Sequence, residues 1–436
     1  MTVSAGPTLD DDLPLDDDLL EARRRDASDP LAAFRRRFYT RDGVLYMDGN
    51  SLGLLSRDAE AAVQSALAAW RDQAVEGWTG APEPWFTMAE RVAARQAALV
   101  GAAPDEVAVT GSTTANLHHL LLALYRPRGR RTRLVGDVLN FPSDLYALEA
   151  QVRRAGLDPS RDLILVGDRD GLLDEDDLIA AMDERAAVAV FSSVLYRSGQ
   201  LLDMARLAAA ARERGVLIGF DLSHSVGVVP HRLSDWGVDF AVWCNYKYVN
   251  GGPGTVAGLY LNRRHHGLVP PLTGWWGSDK RRQFEMLSTF VPAEGAAAWQ
   301  VSTPPILSLA PLEAAVGILE EAGIERIRAK SLALTEFLLD LVDRHLAGFG
   351  FRVGTPREPH RRGGHVALRH PDGARIAAAL RLYGVVPDFR PPDVIRLAPS
   401  PLYTRFEDVW LVVRRLRAMM EQRLHLQAAV PEGTVT

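Results

Sequence analysis

Cysteine occurs once in the 436 residues, as Cys244. A single thiol excludes an internal disulfide, a CxxC redox pair and a cysteine-based zinc cluster, and the expected compartment is the cytoplasm. No apolar run approaches the roughly 18–20 residues of a membrane-spanning helix, so no membrane insertion is expected. A secretory leader needs a basic start and an apolar stretch, whereas residues 1–20 carry aspartates at 10–12 and 16–18 and are expected to form a disordered acidic tail. Excess charge is missing too. Fifty basic against 55 acidic residues leave a net charge of −5, which offers no footprint for nucleic acid or anionic lipid. HExxH and the Walker lysine loop are absent. Lysine is scarce, with only Lys247, Lys280 and Lys330 among the 50 basic residues.

What is present is ordinary globular composition, 47% hydrophobic and 24% charged, in a chain long enough for two domains or one large domain with a satellite. Ala-rich amphipathic helices are predicted at 59–75 and 86–100. Short apolar strands follow at 106–110, 134–135, 163–166, 187–192, 216–221 and 240–243, with helical stretches at 115–125, 144–156, 174–185 and 202–214. Such alternation builds βαβ units and a mainly parallel sheet. Past Pro304-Pro305 the pattern changes to a long helix at 308–347, strands near 349–353, 364–369 and 394–398, and helices at 373–383 and 404–424. The arginine- and glycine-rich stretch 357–364 reads as mobile. The expected organisation is the tail over 1–20, a segment over 21–55 packing near the small domain, a large domain over 56–305 and a small α+β domain over 306–436.

The densest chemical signal is FDLSHS at 220–225, followed by NYKY at 245–248 and GGPG at 251–254. Asp221 ends an apolar strand, where open α/β sheets place their ligands, and Lys247 follows another strand. A carboxylate and a lysine converging there suit pyridoxal phosphate: the lysine forms a Schiff base and the carboxylate keeps the pyridine nitrogen protonated. Any single lysine is more often a salt-bridge partner or a snorkelling surface residue, but Lys280 and Lys330 sit in charged stretches and only Lys247 has aromatic and glycine neighbours. The turn 111–114 (GSTT) between a strand and a helix offers hydroxyls and free N–H groups to a phosphate, although N-capping alone would explain it. Phe141 to Asp144 (FPSD) is a second loop after a strand, and its ring can stack on a flat cofactor.

These residues carry a resemblance to the kynureninase family, fold-type I pyridoxal phosphate enzymes related to class V aminotransferases. It covers roughly 44–425 and rests on YMDGNSLGLL (46–55), TTANLH (113–118), FPSD (141–144), FDLSHSVG (220–227), DWGVDFAVWCNYKYVNGGPG (235–254), GWWG (274–277), STPPIL (302–307) and RLAPSPLY (396–403). The resemblance implies a fold-type I α/β architecture, a large mainly parallel sheet domain plus a small α+β domain. It implies hydrolysis of L-kynurenine to anthranilate and L-alanine in tryptophan catabolism, in a homodimer whose active site lies at the subunit interface. Lys247 would be the Schiff-base lysine, Asp221 the partner of the ring nitrogen and Tyr246 a proton shuttle. Thr113, Thr114, Phe141, Pro142, Ser143, Asp144, Ser192, His224 and Tyr246 would hold the cofactor, with Trp275 and Thr303 reaching in from the second subunit. Arg396 would clamp the substrate carboxylate, with Ser51, Trp78 and Thr303 as further substrate contacts.

Two departures from the family pattern are visible. Serines stand at 223 and 225 where alanine is frequent, a change of packing more than chemistry. Trp78 and Thr303 replace a histidine and an asparagine of the enzymes that favour 3-hydroxykynurenine, so a preference for unhydroxylated L-kynurenine is expected. The alternatives are another class V lyase such as a cysteine desulfurase, a transaminase, or a non-catalytic binding protein of the same fold. Cys244, three residues before Lys247 on a strand, does not suit the mobile thiol a desulfurase needs.

Overall fold

A computed structural model describes residues 16–81 and 83–429. In the N-terminal stretch, helix α1 (Asp17–Ala27) and the short strand β1 (Leu45–Tyr46) precede α2 (Arg57–Gln73) and α3 (Met88–Leu99). The sheet region then runs β2 (Val107–Val109), α4 (Thr113–Leu124), β3 (Arg133–Asp137), α5 (Pro142–Arg154), α6 (Pro159–Asp162) and β4 (Leu163–Val166). It continues with α7 (Glu175–Ala181), β5 (Ala186–Ser192), α8 (Met204–Arg214), β6 (Leu217–Asp221), α9 (Leu233–Trp236), β7 (Phe240–Trp243) and β8 (Gly258–Leu261). Beyond lie α10 (Ile306–Ala322), α11 (Ile324–Leu346), β9 (Arg352–Val353), β10 (Val366–Arg369), α12 (Gly373–Leu382), β11 (Val385–Val386), β12 (Asp388–Arg390), β13 (Val394–Leu397) and α13 (Phe406–Glu421).

Seven strands form one sheet in the order β2-β8-β7-β6-β5-β3-β4. Neighbours from β7 to β4 are parallel, and β8 runs antiparallel to both β2 and β7. The interior strands are buried over nearly all their length, β5 through Val188, Ala189, Val190 and Phe191, as a sheet covered on both faces requires. Strand β8 (GLYL) follows a glycine-rich loop, and its four apolar residues alone did not identify it as a strand.

A four-stranded antiparallel sheet, β12-β13-β10-β9, builds a second body with α11, α12 and α13. Its core is a separate cluster in which Leu338, Leu341, Val366, Ile395, Val409 and Val413 are buried. The segment ahead of α2 is shared: β1 pairs in parallel with β11, and Leu19, Ala22, Leu45 and Met47 join this core, whereas Leu31, Phe34 and Phe38 lie in the core of the large sheet. Leu309, Leu312, Val316 and Leu319 of α10, which was expected in the small domain, lie in that large-sheet core as well. Helix α13 carries Phe406, Val409, Trp410, Val413 and Leu416 on one face, the spacing that buries a helix stripe.

Three further expectations need correction. Of the acidic tail expected over 1–20, residues 1–15 lie outside the described residues, and from Asp16 the chain is a capped helix. Asp16 caps α1 by accepting from Leu19 N at 2.8 Å, and Asp18 accepts from His345 Nε2 at 2.7 Å. The helix expected over 308–347 is two helices, because Gly323 takes φ +77° and its N–H closes on Leu319 O at 2.8 Å. The stretch 357–364 is not a mobile connector. Arg362 is 1% exposed and donates from Nε to Thr335 Oγ1 at 3.0 Å, and Gly363 N donates to Gly199 O at 2.8 Å.

Candidate active site

Five chain segments that leave strands of the large sheet converge on one cleft of about 340 Å³ with β13 and the loop after β1. Openings at the carboxyl ends of parallel strands are where doubly wound sheets bind ligands. Asp221 is the last residue of β6 and Ser192 the last of β5. Thr113 and Thr114 open α4, where the first backbone N–H groups of the helix are free of intrahelical partners. Pro142 is the first residue of α5, a position that needs no N–H, so the FPSD loop turns directly from β3 into the helix.

Lys247 projects into this cleft from the turn after β7, and its Nζ lies 3.0 Å from His224 Nε2. Burial, and after it the charge of Lys247, holds His224 well below the usual histidine range, so the ring is neutral. Asp221 Oδ1 accepts from Ser223 N at 2.7 Å, which fixes the carboxylate at the strand end. Asp144 is pushed well above the usual carboxylate range by burial and by the neighbouring Asp221 charge. Thr114 Oγ1 meets Ser143 Oγ at 2.5 Å, and Ser192 Oγ donates to Asn140 Oδ1 at 2.8 Å. Phe141 packs edge-on to Tyr196, ring centres 5.5 Å apart, and its own centre is 6.0 Å from Lys247 Nζ. Tyr246 lines the same cleft, its phenol pushed up first by burial and then by Cys244.

Arg396 enters from β13 and is 1% exposed. Its Nη1 donates to Tyr196 O at 2.8 Å and its Nη2 to Ser51 Oγ at 2.9 Å, while the fully buried Asp388 on β12 pairs with Nε. A guanidinium held on three sides presents a fixed, planar donor to a carboxylate. The serines at 223 and 225 act on backbone and packing: Ser223 Oγ accepts from Cys244 N at 3.1 Å, and Ser225 Oγ meets Ser193 Oγ at 2.7 Å.

Lys247, Asp221, Tyr246, Thr113, Thr114, Phe141, Ser143, Asp144, Ser192, His224, Ser51 and Arg396 all line this cleft. Pro142, Trp275, Thr303 and Trp78 do not. Trp275 is 41% exposed beside a separate depression, and Thr303 borders another with Gly111 and Pro304. Trp78 stands edge-on to Trp85, 5.6 Å between centres, and 5.5 Å from Trp276. The cleft also contains Asn50, Tyr196 and Arg390, which sequence reading missed. Asn50 had a signal inside the quoted GNSLGL motif. Arg390 had none, because one arginine in an arginine-rich chain is silent until β12 and β13 pair Asp388 with Arg396. Cys244 is buried, which removes the exposed thiol a desulfurase requires. Among the described residues no cluster of histidine, cysteine and acidic side chains could hold a metal ion, and no helix is long and apolar enough to cross a membrane.

The chain is 53% identical over 403 residues to a kynureninase of Geobacillus thermodenitrificans, covering 92% of this chain and 94% of that one. It is 49% identical over 403 residues to a kynureninase of Bacillus anthracis, with the same coverage of both chains. Residues 327–416 match the family described as Kynureninase C-terminal domain. Among solved structures, a cysteine desulfurase of Thermococcus onnurineus superposes with a TM-score of 0.77 at 19% identity, covering 89% of this chain and 98% of that one. A mutant of the lyase C-DES with glycine covalently linked to its pyridoxal phosphate cofactor does so with a TM-score of 0.77 at 19% identity, covering 88% and 98%. At that identity the two structures speak for the fold alone, a pyridoxal phosphate fold-type I architecture. The chain belongs to the kynureninase family.

Proposed function

We propose that this chain is a pyridoxal phosphate-dependent hydrolase that cleaves the Cβ–Cγ bond of L-kynurenine, consuming one water and giving anthranilate and L-alanine, a step of tryptophan catabolism in the cytoplasm. One juxtaposition carries the reading: the Lys247 amine, the Asp221 carboxylate and the Arg396 guanidinium face one cleft. The donor set suits the cofactor. A buried carboxylate at a strand end matches a pyridinium nitrogen, Lys247 matches an aldehyde, and the hydroxyls and free N–H groups at the start of α4 match a phosphate. Thr113, Thr114, Ser143, Ser192, His224 and Tyr246 would hold the group, with the FPSD loop over it. When bound, it supplies an electron-accepting ring that stabilises negative charge on the substrate carbons next to the amine.

The protein's own groups do the remaining work. Arg396 anchors the α-carboxylate and thereby fixes which substrate bond faces the ring. The Lys247 amine is the base that takes the substrate's α-proton. Tyr246, whose raised pKa keeps the phenol protonated, hands a proton to the substrate as the carbon–carbon bond breaks. Trp275 and Thr303, outside their own cleft, complete the cleft of a second copy. Supporting this is exposed apolar surface at Val269, Leu272, Trp275, Phe284, Met286 and Leu287, where Phe284 and Met286 are 70% and 71% exposed. Trp78 and Thr303 stand where enzymes that favour 3-hydroxykynurenine carry a histidine and an asparagine, which supports a preference for L-kynurenine over its 3-hydroxy form. Two measurements test these statements. Borohydride reduction of the holoprotein should fix the pyridoxyl group on the Lys247 peptide alone, and a kcat/KM higher for 3-hydroxykynurenine would contradict the preference.

A further inference from the structure

Asn245 stands two residues before Lys247, in the turn after β7, and is fully buried together with Gln96 of α3 and Trp243 of β7. Their polar atoms form one network. Gln96 Nε2 donates to Asn245 Oδ1 at 2.8 Å, and Trp243 Nε1 donates to the same oxygen at 3.1 Å and to Gln96 Oε1 at 3.2 Å. Asn245 Nδ2 donates to Val256 O at 2.7 Å, so every side-chain nitrogen and oxygen of the three residues has a partner. A buried polar network whose members are all satisfied is rigid. Glycine makes room for it, because a Cβ on Gly258, the β8 residue paired with Trp243, would lie 2.0 Å from the indole. The same asparagine closes the turn. Gly251 N donates to Asn245 O at 2.8 Å, so residues 245–251 form a hydrogen-bonded loop with Lys247 inside it. Within that loop Asn250 N donates to Lys247 O at 2.9 Å, and from outside it Gly53 N donates to Tyr246 O at 2.8 Å.

We propose that Asn245 and Gln96 are positioning residues that fix the backbone of the Lys247 turn, and thereby the direction in which the amine enters the cleft. Neither residue lines the cleft, so both act through the turn. The Lys247 side chain is then held at both ends: the network anchors its root, and His224 Nε2 meets its Nζ at 3.0 Å. A displacement of about 1 Å at a reacting group can cost about a hundredfold in rate. Arg396 stands on β13, bonded to Tyr196 O and Ser51 Oγ and not to this network, so loosening the turn moves the amine and leaves the carboxylate clamp in place. The inference rests on the assignment of Lys247 as the reacting amine.

The test compares wild type with Gln96→Met, which roughly keeps the volume and removes the polar links to Asn245 and Trp243. In the full chain without cofactor, reductive methylation followed by peptide mass spectrometry reports Lys247, with Lys280 and Lys330 as internal references. The Lys247 rate should rise about three- to tenfold relative to both, the worth of one hydrogen bond. In the holoprotein, kcat for L-kynurenine should fall about tenfold or more while KM stays within about twofold, because the carboxylate clamp is untouched. A folded Gln96→Met protein with wild-type labelling, even if less stable, overturns the proposal, and so does a rise in KM with kcat unchanged. If Gln96→Met does not fold, Asn245→Asp is read in the same way, since it keeps the acceptor for Gln96 and Trp243 and loses the donor to Val256 O. Failure of both variants to fold would make the network an element of folding alone and would overturn the proposal too. Full activity of Lys247→Ala would instead sink the functional reading and leave the labelling result standing.

Discussion

Arg396 and Asp388 form a buried ion pair whose value lies in orientation, since desolvation offsets much of the attraction. Replacing Asp388 by Asn should leave Arg396 free to turn, raising KM for L-kynurenine about tenfold or more with a smaller change in kcat; an unchanged KM would show that Ser51 and the Tyr196 carbonyl suffice. Tyr246→Phe separates two roles, for loss of turnover with normal cofactor retention marks a proton donor, whereas normal turnover with weaker retention marks a cofactor contact only. Asp137, buried at the end of β3, has its carboxyl pushed up to about 7 by burial. Its folded pKa lies above the unfolded value, so its contribution to stability is complete below the usual carboxylate range and is lost as pH rises through 7. Asp137→Asn should therefore gain on wild type by about 3 kcal/mol between pH 5 and pH 8 in urea unfolding of the cofactor-free chain, and a pH-independent difference would contradict this. Asp221 and the threonines of α4 were legible in the sequence because they end a strand or open a helix, and Lys247 because it stands among aromatic and glycine neighbours in the turn after a strand. Asp388 and Arg390 were not, since their meaning depends on strand pairing and burial that no local pattern encodes.

Most elements could be read from hydrophobic period: β4 and β7 match their expected bounds, and α8 and α12 begin or end within two residues of theirs. Failures fall where one residue type carries two meanings. Gly323 inside a helical pattern reads as tolerated, but its positive φ ends α10 and redirects the chain into α11. The stretch 357–364 looked solvated because it is rich in arginine and glycine, yet Arg362 serves as an interior hydrogen-bond donor and the glycines permit close backbone contact. Arg362→Ala should cost about 2–4 kcal/mol in urea unfolding, because it leaves the Thr335 hydroxyl and the Arg357 carbonyl without their donor. A loss below about 0.5 kcal/mol would return the segment to the status of a surface loop.

At the scale of the molecule, the large sheet supplies the amine, the carboxylate and the threonines at the start of α4, and the small body supplies the guanidinium. The exposed apolar surface around Trp275 and Phe284 is expected to lie against a second copy. Phe284→Glu should give single chains in sedimentation, with activity falling alongside, whereas an active monomer would show that Trp275 and Thr303 are not needed in trans. The central claim concerns one amine and one reaction. Incubating the holoprotein with L-kynurenine should produce anthranilate fluorescence and an equal amount of L-alanine, and Lys247→Ala should produce neither. The account would be contradicted by a cofactor-loaded wild-type protein that releases no anthranilate, or by a Lys247→Ala protein that releases it at the wild-type rate.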